Sequence, residues 1–106
     1  MSNFDDMVDR EGLGADEEAR LRRVHDLLVQ AGPDERAESS FVAWRVHRAL
    51  EEIPAAERTV LELAYWGGLS QSEVSEYLNV PLGTVKTRTR TGLRRLADLL
   101  EGELSA

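Results

Sequence analysis

The sequence predicts an all-α fold, a small helical bundle that ends in two helices joined by a tight turn and carries one extra helix near its N-terminus. Apolar residues recur at spacings of three and four along the chain, and no stretch alternates in the manner of a strand. Cap and stop signals divide the chain into five helices. They are predicted near residues 16–31, 40–53, 55–66, 70–78 and 82–100.

The length of the chain predicts one domain, or one small domain with an arm. The 106 residues carry a net charge of −7 and no cysteine, which excludes disulfides and thiolate metal sites. There is no signal-peptide pattern and no run of eighteen apolar residues. We therefore expect a soluble cytoplasmic protein with no membrane partner.

The charge is unevenly distributed along the chain. Residues 1–39 hold eleven acids against five bases, whereas residues 82–97 hold five bases and no acid. This division predicts an acidic N-terminal arm, residues 1–39, and a helical domain, residues 40–106. With its net positive charge concentrated on one helix of an otherwise acidic chain, the protein should be steered poorly toward nucleic acid and should bind it weakly without assistance.

The arm contains one amphipathic helix. Residues 1–15 are acidic and contain two glycines, so terminal disorder is expected in preference to a one-turn docking segment built on Phe4, Met7 and Val8. Asp16 is the predicted cap of the helix over 16–31, and Gly32-Pro33 stops it. Its stripe of Leu21, Val24 and Leu28 is expected to pack against protein, either its own domain or a second copy. The alternative is a helix that binds a regulator.

The next two helices have clear core faces. The predicted inward residues are Val42, Val46, Ala49, Leu50 and Ile53 in the first, and Val60, Leu61, Ala64 and Tyr65 in the second. Phe41 and Trp44 fall off the first face and are expected either to meet the N-terminal helix or to be exposed. Pro54 separates the two helices, and Gly67-Gly68 ends the second.

The last two helices form a helix-turn-helix. Ser70 and Glu73 have capping-box spacing, and Asn79-Val80-Pro81 breaks the helical run. The final helix has an apolar side formed by Val85, Leu93, Leu96 and Leu100. Its opposite side gathers Thr84, Lys86, Thr87, Arg90, Thr91 and Arg94. Hydroxyls and long cations without a carboxylate suit a nucleic-acid groove better than an ordinary solvated helix, which usually mixes signs.

No enzyme site is indicated. The chain lacks a phosphate-binding glycine loop, and no catalytic set of carboxylates or Ser, His and Asp can be placed together. His25 and His47 are isolated on separate helices and are interpreted as structural. The sequence therefore predicts no catalytic residue, no metal site and no cofactor.

Six short motifs make residues 42–100 resemble region 4 of the sigma-70 family, most closely that of the extracytoplasmic-function group. They are IPAAER at 53–58, VLEL at 60–63, GGLS at 67–70, EVS at 73–75, LNVP at 78–81 and GTVKTR at 83–88. LuxR-type helix-turn-helix domains share the GLS and TVK elements. They usually have His where this chain has Arg88, and they lack the glycine before the threonine.

The resemblance implies binding to the −35 element of double-stranded promoter DNA and docking on the β-flap of RNA polymerase. By similarity, base edges would be contacted by Lys86, Thr87, Arg90 and Thr91. Phosphates would be held by Thr84, Arg88 and the helix start at Ser70, Gln71 and Ser72, and Arg94 completes the predicted DNA-binding set. Two positions depart from the family: Thr89 where Leu or Ile is usual, which should weaken packing, and Ser75 where a small apolar residue is usual.

Region 2 of a sigma factor, which reads the −10 element, has no counterpart in residues 1–40. The chain is therefore expected to be either an excised domain or a stand-alone sigma-like regulator. A second hypothesis is an interaction module that binds polymerase or an anti-sigma-type regulator without specific DNA contact. The acidic balance favours that hypothesis, and the intact cationic side opposes it. Residues 16–31 are the candidate surface for a regulator or for self-association.

Overall fold

The computed structural model describes residues 4–33 and 41–101. These ranges contain six helices and no strand. The helices are α1 Phe4–Met7, α2 Ala15–Ala31, α3 Phe41–Glu52, α4 Ala55–Tyr65, α5 Gln71–Leu78 and α6 Leu82–Leu99. The all-α fold and the five predicted helices are confirmed, while the predicted helix start at residue 40 and most of the C-terminal tail lie outside the described residues.

The short helix α1 corrects the expectation of disorder at the N-terminus. Phe4, Met7 and Val8 are all buried, at 2–3% exposure. The Phe4 ring meets His25 edge-on, with centroids 5.6 Å apart, and the Arg22 guanidinium lies 4.4 Å from the Phe4 centroid. Composition pointed to disorder because this segment is acidic, but three apolar side chains spaced over one turn have a surface to pack on.

Helix α2 lies between α3 and α6 and packs against both. Leu21, Val24 and Leu28 are at most 1% exposed, so the predicted packing of this stripe against protein is confirmed. Its predicted cap is wrong: the N-cap residue is Gly14, which makes no side-chain cap hydrogen bond, and Asp16 lies inside the first turn. There its carboxylate still favours the positive end of the helix dipole.

The C-terminal end of α2 is held by two side chains from other helices. The Trp66 indole Nε1 donates to the Leu28 carbonyl at 3.0 Å, and Nε2 of His47 lies 2.8 Å from the Gly32 carbonyl. The last carbonyls of a helix have no partner within it, so these bonds satisfy exposed acceptors and attach α2 to the bundle.

Helix α6 is the centre of the bundle and packs against α2, α3, α4 and α5. Its predicted apolar side is confirmed, since Val85, Leu93, Leu96 and Leu100 are at most 1% exposed. At Gly92, α6 lies close to α4, because a Cβ atom there would lie 2.9 Å from Cδ1 of Leu61. The absence of a side chain at this position allows the two helices to pack closely.

Two aromatic residues of α3 remain on the surface. Phe41 is 70% exposed and Trp44 is 50% exposed, and their rings stack on each other with centroids 5.8 Å apart. The sequence left open whether these two rings meet the N-terminal helix or are exposed, and the structure shows that they are exposed.

The two phenylalanines provide a matched test of the docking of α1. Phe4→Ala should lower the free energy of unfolding by about 3 kcal/mol, because it empties a buried aromatic site. Phe41→Ala removes the same atoms from an exposed position and should change it by less than about 0.5 kcal/mol. Chemical denaturation followed by circular dichroism measures both values. Equal effects would show that α1 is not packed as described.

His25 should make stability depend on pH. Burial lowers the pKa of His25 below its ordinary value of 6.5, against a smaller opposing effect of Asp26. Because the unfolded chain then binds the proton more readily, stability is lost as pH falls from 6.5 toward the folded-state pKa. The neutral ring can also accept at Nδ1 from the Tyr65 hydroxyl, 2.6 Å away.

The free energy of unfolding of the wild type should therefore decrease between about pH 7.5 and 5.5, above the range in which carboxyl groups titrate. In the His25→Gln variant this decrease should be smaller, whatever its stability at neutral pH. Denaturation curves at several pH values give the two slopes, and identical slopes would contradict the assignment.

Candidate nucleic-acid interface

Local hydrogen bonds fix the helix-turn-helix at the start of α5 and in the turn between α5 and α6. The Ser70 hydroxyl accepts from the Glu73 N–H at 3.1 Å, and the Glu73 carboxylate accepts from the Ser70 N–H at 2.9 Å, which confirms the capping box. The bond from the Ser70 backbone lowers the pKa of Glu73. In the turn, Asn79 has the left-handed conformation with φ 56°. The Ser75 hydroxyl donates to the Val80 carbonyl at 2.5 Å, so this serine ties the turn to α5.

The second helix of the motif, α6, carries a threonine on its buried side. Thr89 is fully buried; its hydroxyl donates to the Val85 carbonyl at 2.8 Å and lies 3.4 Å from the Gln71 amide nitrogen. Because a buried hydroxyl is costly only when it lacks a partner, these bonds offset much of the cost of a polar residue there.

Five of the predicted DNA-binding residues of α6 line a hollow on one side of the helix, whereas Thr84 and Arg88 lie outside that lining. Lys86 and Thr87 are exposed, and Thr84, Arg88, Arg90, Thr91 and Arg94 are partly exposed. The hollow is shallow, with a volume of about 370 Å³. Its lining is formed by Asp9, Gly83, Lys86, Thr87, Arg90, Thr91 and Arg94. We call the α6 part of this surface the cationic face.

The five cations of α6 differ in their partners. Arg95 points away from the cationic face and donates to Glu57 of α4 at 2.9 Å. Arg94 makes two bonds with the Glu17 carboxylate, at 2.8 and 3.0 Å, and these bonds lower the pKa of Glu17. Within residues 4–33 and 41–101, Lys86 and Arg88 have no hydrogen-bond or ion-pair partner.

Arg90 is engaged by the backbone of the N-terminal segment. Its guanidinium donates to the carbonyls of Asp9 and Glu11, the latter at 3.2 Å. These contacts were missed by sequence reasoning, which placed Arg90 among the free base-reading groups. A backbone carbonyl is present at every residue, so no feature of the sequence marks one as a long-range acceptor.

The predicted phosphate site at the start of α5 is brought next to α6, but its three side chains differ. Ser70 is occupied as the cap, and Ser72 is exposed. Gln71 is turned inward, and its amide donates to the Met7 carbonyl at 2.6 Å. Ser72 and the helix terminus are thus the accessible parts of this predicted site.

The described residues give no support to a metal site or to a membrane-spanning helix. Among those residues, no three His, Asp or Glu side chains are grouped as metal ligands. None of the helices described combines the length and the apolar character needed to cross a membrane.

Comparison with known proteins identifies the fold unit. The family described as "Sigma-70, region 4" matches residues 43–96, about half of the chain. The ECF RNA polymerase sigma factor SigK of Mycobacterium ulcerans is 34% identical over 99 residues, covering 91% of this chain and 51% of the relative. SigK of Mycobacterium bovis BCG is 42% identical over 78 residues, covering 74% and 37%. RpoE of Cereibacter sphaeroides is 40% identical over 52 residues, covering 49% and 29%.

The chain thus spans about half or less of the length of these relatives. No solved structure gave a significant match. The matched residues contain α4, α5, most of α6 and the whole cationic face, and region 4 is a non-enzymatic unit of transcription factors. The chain belongs to the region 4 family of sigma-70 factors, of the extracytoplasmic-function type, and is a sigma-factor-like transcription module with a DNA-binding helix-turn-helix.

Proposed function

We propose that this module recognises a −35-like element in double-stranded promoter DNA and acts with bacterial RNA polymerase in the cytoplasm. The observation that carries the proposal is the cationic face itself, where Lys86 and Thr87 project from a helix whose other side is buried in the bundle. A long cation and a hydroxyl on a rigid helix can reach base edges in a major groove.

The proposed contacts divide by chemistry. Lys86, Thr87, Arg90 and Thr91 would read base edges, and Thr84, Arg88 and Arg94 would hold the backbone. At the start of α5, the N–H groups of residues 71 and 72 and the Ser72 hydroxyl would be offered to a further phosphate. The capping box supports this arrangement because it fixes where α5 begins, and the bond from Ser75 to Val80 holds the turn that leads into α6.

Charge favours a module that works within a larger complex. The protein as a whole carries −7, and the bases that could attract DNA are concentrated on one helix. Counterion release from a few phosphates gives weak, salt-sensitive binding. Docking on the polymerase β-flap would supply the missing affinity by holding the module next to the promoter.

Selection from a pool of duplexes with a randomised core would test DNA recognition directly. The full chain, alone and with core polymerase, should enrich one short motif. Enrichment of none, together with retained binding to the polymerase flap, would contradict DNA recognition and favour a protein-interaction module.

Lys86→Ala should weaken binding to the selected duplex more than to an unrelated duplex. Loss of one base-edge contact costs about 1–3 kcal/mol, which corresponds to roughly 5- to 150-fold in affinity. Arg95→Ala is the matched control, since it removes a cation of the same helix that pairs with Glu57 on the other side. Fluorescence anisotropy titrations measure all four affinities. Equal losses on the two duplexes would remove Lys86 from the base-reading set.

Arg88→Ala should weaken binding to both duplexes to a similar extent. A phosphate contact carries no sequence information, and its loss should reduce the slope of log K against log salt by about one unit. Titrations at four salt concentrations give the slope. An unchanged slope would show that Arg88 does not contact a phosphate.

A further inference from the structure

We propose that residues 4–17 form a displaceable cover over the DNA-reading surface, so that this segment and DNA compete for the same side chains. The inference rests on the proposed function, since it concerns access to the DNA-binding residues. We call residues 4–17 the N-terminal cover.

The first observation is that the cover occupies the hydrogen-bonding groups of two DNA-binding arginines. The Arg90 guanidinium donates to the carbonyls of Asp9 and Glu11, and Arg94 forms its two-bond pair with Glu17. A guanidinium that is bonded to carbonyls or a carboxylate cannot at the same time give those N–H groups to a base or a phosphate.

A second observation comes from α5, which would contact DNA next to α6. The Gln71 amide donates to the Met7 carbonyl at 2.6 Å, so the cover also engages the predicted phosphate site. Asp9 lines the same hollow as Lys86 and Thr87. The cover therefore meets both helices of the motif, at the edge where a DNA backbone would have to approach.

The charge of the cover adds to this obstruction. Residues 4–17 contain six acids and one base. Carboxylates placed beside the cationic face lower its potential and repel phosphates. The cover thus opposes DNA both by occupying donors and by its charge.

The cover can move without unfolding the bundle. Helix α2 is anchored by Leu21, Val24 and Leu28, which are buried, and Arg20 pairs with Asp98 near the far end of α6. These contacts lie outside the cover. Gly12, at φ 84°, and Gly14 lie between α1 and α2, so residues 4–11 can change direction there with little steric resistance. Glu17 lies on the anchored helix α2 and releases Arg94 by rotation of its partly exposed side chain.

The cover is held mainly by three buried apolar side chains. Its apolar anchors are Phe4, Met7 and Val8, and its ion pair with Arg94 is 39–43% exposed. An ion pair this accessible to water contributes little. Release of three apolar side chains and a few polar bonds is a local opening.

Two variants that each remove one negative charge distinguish loss of the ion pair with Arg94 from loss of charge alone. Glu17→Gln breaks the pair with Arg94, whereas Asp16→Asn removes the same charge from the neighbouring residue, which is exposed and forms no ion pair within the described residues. Glu17→Gln should bind the selected duplex roughly two- to fivefold more tightly than Asp16→Asn. Equal affinities would contradict competition between Glu17 and DNA for Arg94.

A reversible restraint tests the cover as a whole in the full-length chain. The protein has no cysteine, so Asp9→Cys combined with Gly83→Cys gives two unique thiols, one on the cover and one on α6, at positions that both line the hollow. A Cβ at Gly83 meets no atom within 4 Å. Joining the thiols with a short bismaleimide holds the cover in place, and alkylating both with N-ethylmaleimide provides the matched control.

The bridged protein should bind the selected duplex about tenfold or more weakly than the alkylated protein, as expected for loss of at least one base-edge contact. Circular dichroism of both forms checks that the fold is retained. Equal affinities with the fold intact would overturn the cover and leave DNA recognition standing. If the wild type and every variant fail to bind any duplex, the proposed function is overturned and the inference falls with it.

Discussion

Burial of the apolar side of α6 is the interaction on which the other helices depend. Four helices pack against it, and Leu93, Leu96 and Ala97 at its centre are fully buried. Gly92 lets α4 come close enough for Leu61 to fill the space of the missing side chain. Because one side of α6 is fixed in this way, the direction of its cationic face is set by core packing. Loss of the buried contacts of α6 would therefore disrupt the cationic face together with the fold.

Helix positions and core residues could be predicted because they depend on local patterns. Val85, Leu93 and Leu96 recur with the helical period, and burial follows from it. The capping box at Ser70 was equally visible, since its two residues are three apart in the chain. Asp16 is not the cap because the helix begins one residue earlier, at Ala15. The ends of a helix are defined less sharply than its interior, so a prediction of the terminal residue is easily one or two positions off. The short α1 was missed because its stability comes from His25 and the bundle, not from its own sequence.

The candidate site was predictable in its residues but not in their partners. The side of α6 that carries Lys86 and Thr87 follows from spacing alone. The pair between Glu17 and Arg94 joins residues 77 apart, and many other acids could have taken that place. Carbonyl acceptors such as that of Glu11 leave no sequence signal at all. Local geometry therefore predicts which side chains are candidates for reading DNA, whereas only the tertiary structure shows which of them are already engaged.

The contacts between the N-terminal cover and α6 explain how an acidic protein can carry a helix that is suited to DNA. Acids spread over the surface would weaken DNA binding at every step, but acids held on a movable segment weaken it only while that segment is in place. Since DNA and the cover exclude each other, binding of DNA must loosen the cover by the same free energy with which the cover weakens DNA binding. A partner that captured the apolar residues Phe4, Met7 and Val8 would shift this equilibrium without touching α6. The net charge of −7 is thus compatible with DNA recognition, because the acids closest to the cationic face lie on the segment that we propose to be displaced when DNA binds.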